Sequence, residues 1–315
     1  MKLSAMCGLP LHSQFVMKSK EKIPVYDICS LSKDQQHQQD SFLVERFGAY
    51  LARHPKSLHH PHRHSFFHIV FFTKGCGTHT IDFTQFKVVP FQIYFMVPGQ
   101  VHSWDFEGAV DGYIINFSDA LFRSFLLNPN YLERFHFLSG VSDDSVCHLP
   151  VQAHAKTIQL FEELLDEAGT GDQQANHNDM IKVLLMQLFM TVEKNCKNGG
   201  KKVIPQQKHL LLRNFRRLID QHYLTIKLPK EYADLLYVTP NHLNALCQDL
   251  LGKTAGELIR DRIILEAKRL LTNADMTITQ IAYELNFQDN SYFNRFFKKY
   301  VGTTPDEFRT KLSKQ

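Results

Sequence analysis

Two segments near the end of the 315-residue chain repeat one another, and this repeat limits the fold more than any other feature of the sequence. The first runs from Ala233 through Leu235, Leu236, Val238, Leu243, Leu246 and Leu250 to Gly252. The second runs from Ala282 through Leu285, Phe287, Phe293, Phe296 and Tyr300 to Gly302. The alanines are 49 residues apart and the glycines 50, so one residue is inserted in the second turn. Beyond each glycine the match continues, with Thr254-x-x-Glu257-Leu258 against Thr304-x-x-Glu307-Phe308. A small residue where one helix nears another, a short turn, and apolar residues on a 3–4 period are what two crossed helices require. Helix starts are marked by Thr239-Pro240, a capping hydroxyl ahead of an N1 proline, and by the Thr277-x-x-Gln280 capping box. Between the units, Gly256–Leu271 reads as one long helix.

Apolar spacing alone would also suit a helical bundle that reads nothing, but the outward positions argue for nucleic acid. They are Asn241, His242, Asn244 and Gln248 in the first unit, and Asn290, Ser291, Asn294, Arg295 and Lys298 in the second. Asn and Gln can pair with adenine in a bidentate manner and Arg with guanine, while Lys suits phosphate. The net charge of +4 is concentrated here: Gln207 to Gln315 holds 17 Lys and Arg against 12 Asp and Glu.

The stretches Ile263-x-x-Glu266-Ala267-Lys268-Arg269-Leu270-Leu271, Ile278-x-x-Ile281-Ala282-x-x-Leu285-x-Phe287-x-x-x-Ser291-Tyr292-Phe293-x-Arg295-x-Phe297-Lys298 and Gly302-x-Thr304-Pro305-x-x-Phe308-Arg309 closely resemble the signature of the AraC/XylS family of transcription regulators. The resemblance covers roughly Leu228–Arg309. It implies two helix-turn-helix units whose second helices, Pro240–Leu250 and Asn290–Tyr300, enter adjacent major grooves. Ala245 stands where the family often has a long polar residue, matching Arg295 in the second unit, which implies weaker reading by the first.

Upstream the pattern is β. Runs at Phe66–Phe72, His79–Phe83, Ile93–Val97 and Gly112–Phe117 are separated by turn signals at Lys74-Gly75, Pro98-Gly99 and Glu107-Gly108. His59-His60-Pro61-His62-Arg63-His64, then His68, then Pro98-Gly99-Gln100-Val101-His102, resembles the two motifs of the cupin barrel. His62 and His64 share one strand face, His68 takes the place of the usual Glu, and His102 completes the set. Four neutral imidazoles could hold a divalent metal. The alternatives are a metal-free pocket for a small organic ligand, with these histidines and Trp104 lining it, and a surface hairpin without ligand. Phe66, Phe71, Phe95 and Phe106 could supply apolar wall, though aromatic alternation also suits plain core.

The expected fold class is therefore α+β and multidomain: an N-terminal cupin-like β-barrel, a central helical pair and a C-terminal all-α tandem helix-turn-helix. The expected divisions are an arm over 1–40, a sensor domain over 41–150, helices over 151–196, a linker over 197–206 and the DNA-binding domain over 207–315. In the central pair, Ile158, Phe161, Leu164 and Leu165 share one face, and Met180, Ile181, Leu184, Leu185, Leu188, Phe189 and Val192 another. These faces pack on the barrel or form a dimer seam.

The expected function is sequence-specific transcription regulation in response to a small effector bound in the barrel, without enzymatic activity. The alternative is a metal-dependent cupin enzyme fused to a DNA-binding module; a third option is a scaffold whose β domain only dimerises. Expected partners are double-stranded DNA, a small-molecule effector, a second copy of the chain and RNA polymerase. No cofactor is expected beyond the alternative of a divalent metal. No apolar run is long enough to span a membrane. The six scattered cysteines lack a C-x-x-C pair, pointing to a reducing cytoplasm and no disulfide framework.

Overall fold

The computed structural model describes residues 24–28, 42–54, 60–123, 125–126, 131–169, 176–196, 206–273 and 275–312. Most of the expected arm, His59 and nearly all of the expected linker lie outside these residues. The first half is built on an eight-stranded sheet. Its strands are β1 (Val25–Tyr26), β2 (Phe42–Arg46), β3 (His62–His64), β4 (Phe67–Ile81), β5 (Thr84–Val88), β6 (Gln92–Met96), β7 (Val101–Phe117) and β8 (Val146–His148). They are ordered β1-β3-β7-β4-β6-β8, with β2 also on β7 and β5 on β4. The arrangement is cupin-like, but the end strands β1 and β8 do not pair, so the barrel is open among the described residues.

Strand parity explains why both faces are apolar. Ile69, Phe71, Ile93, Phe95, Tyr113, Ile115 and Phe117 belong to one buried cluster; Val70, Phe72, Tyr94, Met96, Trp104 and Ile114 belong to another. The first faces two helices, α3 (Val151–Gly169) and α4 (His177–Asn195), with Phe71 stacked on Phe161 at 5.4 Å. The second is the inner face. It is covered by α1 (Phe47–Arg53), which places Phe47 and Tyr50 in that core. This helix lies within the segment expected to be wholly β. Phe71 and Phe95, expected as pocket wall, stand on the opposite face, each two residues on from Ile69 and Ile93 in the same strand and sharing their side.

The turns expected at Lys74-Gly75 and Glu107-Gly108 lie inside β4 and β7, which are single long strands. Register shifts between Phe72 and Lys74 and between Lys74 and Cys76 bend β4 without ending it. Gly112, at φ +154°, allows the crossing: a Cβ there would stand 2.0 Å from the Phe71 carbonyl oxygen. The Pro98-Gly99 turn is found as expected, with Gly99 at φ +85°. A short helix α2 (Ala120–Arg123) and 3-10 turns at Tyr131–Arg134, His136–Leu138 and Ser142–Asp144 lead to β8.

Cys147, on β8, is disulfide-bonded to Cys196, just beyond α4, with Cα atoms 5.8 Å apart. This corrects the expectation of no disulfide. The two residues are 49 apart in sequence and meet only because α4 packs back across the sheet.

The second half is α-helical: α5 (Gln206–His222), α6 (Pro229–Leu235), α7 (Pro240–Leu251), α8 (Ala255–Leu271), α9 (Ile278–Glu284), α10 (Asn290–Val301) and α11 (Pro305–Leu312). The expected starts are present. The Thr239 hydroxyl accepts from the His242 N–H, and Thr277 and Gln280 cap each other. Gly252 and Gly302 close α7 and α10 in the left-handed region. Ala233 and Ala282 are fully buried in one core with Phe215, Leu243, Ile263, Phe293 and Phe297. The repeat extends to the turns, where Tyr237 and Asn286, 49 residues apart, adopt φ of 56° and 57°. The helix α8 joins the two units and contributes to the core of both.

Candidate ligand pocket and nucleic-acid interface

Five histidines converge on the inner face of the sheet. His62 and His64 come from β3, His68 and His79 from β4, and His102 from β7; all are buried. Antiparallel register sets His62 opposite His102, His68 opposite Asn116 and His79 opposite Trp104. Ring centroids of His62 and His102 are 4.2 Å apart, and those of His64 and His68 are 4.6 Å apart. One nitrogen from each of His62, His64 and His102 lies within 4.8 Å of the other two.

Burial pushes the His62 imidazolium down to about 4 and His68 to about 3, and holds His64, His79 and His102 well below the ordinary value of 6.5. Neighbouring imidazoles add to this for all except His62, because a charge on one disfavours a charge on the next. The cluster is therefore neutral at pH 7, the state in which imidazole ligates metals.

Hydrogen bonding orients several of the rings. The His60 carbonyl can only accept, so His62 Nδ1 donates to it at 2.9 Å and leaves a lone pair on Nε2. His68 Nδ1 pairs with Asn116 Oδ1 at 2.6 Å, which likewise frees Nε2. His79 Nε2 and His102 Nδ1 are 3.1 Å apart. If His102 ligates through Nε2, its Nδ1–H donates to His79, which then acts as the orienting partner of a ligand. The buried nitrogens His62 Nε2, both of His64, His68 Nε2 and His102 Nε2 have no hydrogen-bond partner among the described residues. Each costs about 1–3 kcal/mol if nothing occupies it.

The structure thus brings together all four histidines named from the sequence. His79 was missed because it stands eleven residues after His68, an odd step that plain alternation would put on the opposite face; the register shifts between Phe72 and Cys76 bring it to the inner face. Trp104 is stacked on His79 with ring centroids 3.3 Å apart, and its own centroid lies 6.2 Å from His102. It backs the cluster alongside Phe47, Phe72 and Phe106.

In the helical half, Asn241, His242 and Gln248 are exposed on α7, and Ser291, Arg295 and Lys298 on α10. The Arg295 guanidinium stands 4.0 Å from Asp289 with its side chain 71% exposed, so it is free to extend. Three of the named asparagines are engaged within the protein. Asn244 Oδ1 accepts from the Ala255 N–H at 3.1 Å, bracing the start of α8. Asn290 Nδ2 donates to Thr279 Oγ1, and Asn294 Nδ2 donates to Asn290 Oδ1 at 2.9 Å. Sequence reasoning did not single out the exposed rings of Tyr237, Tyr283 and Tyr292 beside these helices; a large aromatic left outside an otherwise apolar-in pattern was the available signal.

Two family models match the chain. An AraC-like ligand binding domain covers residues 47–193, and a helix-turn-helix domain covers residues 232–311. The HTH-type transcriptional activator RhaS of Escherichia fergusonii is 22% identical over 267 residues, covering 82% of this chain and 90% of its own. RhaS of Yersinia pestis is 24% identical over 273 residues, covering 83% and 93%. Among solved structures, ToxT from Vibrio cholerae O395 is 15% identical, covers 86% of this chain and 98% of its own, and has a TM-score of 0.42. A ligand-binding domain joined to a DNA-binding domain defines a transcription regulator. The chain belongs to the AraC/XylS family.

Proposed function

We propose that the regulator's effector is a divalent transition metal held by His62, His64 and His102, with His68 at its side and His79 orienting His102. The observation that carries this reading is the set of buried, neutral imidazole nitrogens in the ligand-binding domain that have no protein partner among the described residues. Three imidazoles with no carboxylate in the set suit ions of the cobalt-to-zinc series. The protein acts as a cytoplasmic regulator and not as a metal-dependent enzyme, in keeping with relatives named as transcriptional activators. Arg295, Ser291 and Lys298 lead the reading of DNA, with Asn241, His242 and Gln248 in support. Asn244, Asn290 and Asn294 shape the reading helices from within.

Met180, Val183 and Met190 form an exposed apolar stripe on α4, which suits pairing with a second copy of the chain. Such a homodimer would read two half-sites and present the activator to RNA polymerase.

The test is thermal melting of the chelator-stripped protein with added Zn2+, Ni2+ or Co2+. A rise in Tm that is absent in His64→Ala is expected. No rise with any of the three ions would overturn the assignment.

A further inference from the structure

We propose that Asp82 and Arg269 form a buried latch through which occupation of the histidine site sets the placement of both DNA-reading units. This inference rests on reading the cluster as a metal site.

Asp82 occupies the tight turn between β4 and β5, and its partner lies 187 residues away on α8. Arg269 Nε donates to Asp82 Oδ1 at 2.9 Å and its terminal nitrogen to Oδ2 at 2.6 Å, a bidentate pair with both side chains buried. Asp82 is also bonded back to the barrel: its carboxylate accepts from the Val101 N–H at 3.2 Å and from Gln100 Nε2 at 2.9 Å, and its own N–H donates to the Val101 carbonyl at 2.8 Å. Beside it, Phe83 packs on Phe308 with ring centroids 5.7 Å apart, and the Lys268 ammonium lies 5.8 Å from each ring.

Two placements make this contact more than an interdomain ion pair. On the helical side, α8 joins the two reading units, so whatever holds α8 holds both. On the barrel side, the latch backs directly onto the proposed ligands. Val101 precedes His102, Arg63 lies between His62 and His64, and Val101 and Arg63 are register partners. The donor nitrogens stand within 4.8 Å of one another. A tetrahedral ion bound at its usual distance would set them roughly 3.3 Å apart. Because β3 and β7 are already hydrogen-bonded neighbours, the gap closes by turning of the three imidazoles, which pulls on the backbone at His102 and shifts Val101 and Gln100 under Asp82. A bidentate pair tolerates little such movement, so the filled site loosens the latch and frees α8.

The experiment follows the arginine Nε–H signals of the full-length, metal-stripped protein by NMR. Arg269 is assigned by the signal missing from Arg269→Gln. We expect slow exchange of its Nε–H with water, at least tenfold faster after Zn2+ addition, and equally fast in Asp82→Asn without metal. The Asn variant keeps an acceptor for the Val101 N–H, so the turn is preserved. The Arg53 signal, paired with Glu45 on the far side of the barrel core from α8, serves as the control. Without metal, affinity for DNA that the Zn2+-loaded protein selects from a random library should be higher in Asp82→Asn and in Arg269→Gln alike than in the unsubstituted protein, and no higher in the double variant. Zn2+ uptake seen as a rise in Tm with unchanged Arg269 exchange would overturn the latch and leave the metal site standing. No rise in Tm would overturn both.

Discussion

The inner face of the barrel and the outer faces of α7 and α10 both collect polar side chains, but under opposite conditions. In the barrel, five imidazoles are buried, uncharged and short of partners. On the reading helices, His242, Gln248, Arg295 and Lys298 are solvated at almost no cost. Polar groups in water are ordinary; polar groups out of water need an occupant. The barrel is thus the part whose stability depends on what it binds, and the reading surface is the part whose affinity can change without disturbing the fold.

Acid should separate the two regions most strongly. Because burial lowers the folded-state values of these histidines, the unfolded chain binds more protons between pH 6.5 and about 4, and barrel stability falls as pH drops through that window. Each such histidine contributes at most about 1.4 kcal/mol per pH unit. The expected result in a pH series of melts is a barrel transition that moves down steeply below pH 6.5 while the helical transition moves little. Coincident shifts of both would contradict the contrast.

Gly112→Ala should come next. The added methyl meets the Phe71 carbonyl at the β4–β7 crossing, for a loss on the order of 2–3 kcal/mol in barrel stability by denaturant titration. The helical half should be unaffected. On the reading surface, Arg295→Ala should cost about 1–3 kcal/mol of specific DNA affinity by fluorescence anisotropy, with no change in Tm. Asn241→Ala, in the unit that carries Ala245 opposite Arg295, should lose less than Arg295→Ala in the same assay. Equal losses would remove the distinction between the two units.

The helical half was the more legible in sequence. Its contacts are short in range, so caps, αL turns and the 3–4 period are written in adjacent residues, and Thr239, Thr277, Gly252 and Gly302 are all found in the expected roles. Its side-chain bonds were less so. Nothing in the pattern marks Asn244 as a brace for Ala255 and not a base reader, since that depends on where the next helix begins. In the barrel, the H-x-H and P-G-x-x-H spacings sufficed to group His62, His64, His68 and His102. Glycines that look like turns conceal the continuity of β4 and β7, and the spacing does not show the register shifts within β4 that turn His79 to the inner face.

The repeat at the end of the chain, read alone, determined that this protein carries two crossed-helix units joined by one long helix. Local propensity and periodicity specify such units residue by residue. Which polar residues remain free to touch DNA, how five histidines from three strands come to share one space, and which carboxylate meets Arg269 were decided by the tertiary structure alone. Those relations join residues as far as 187 positions apart, and only strand register and helix packing bring them within bonding distance.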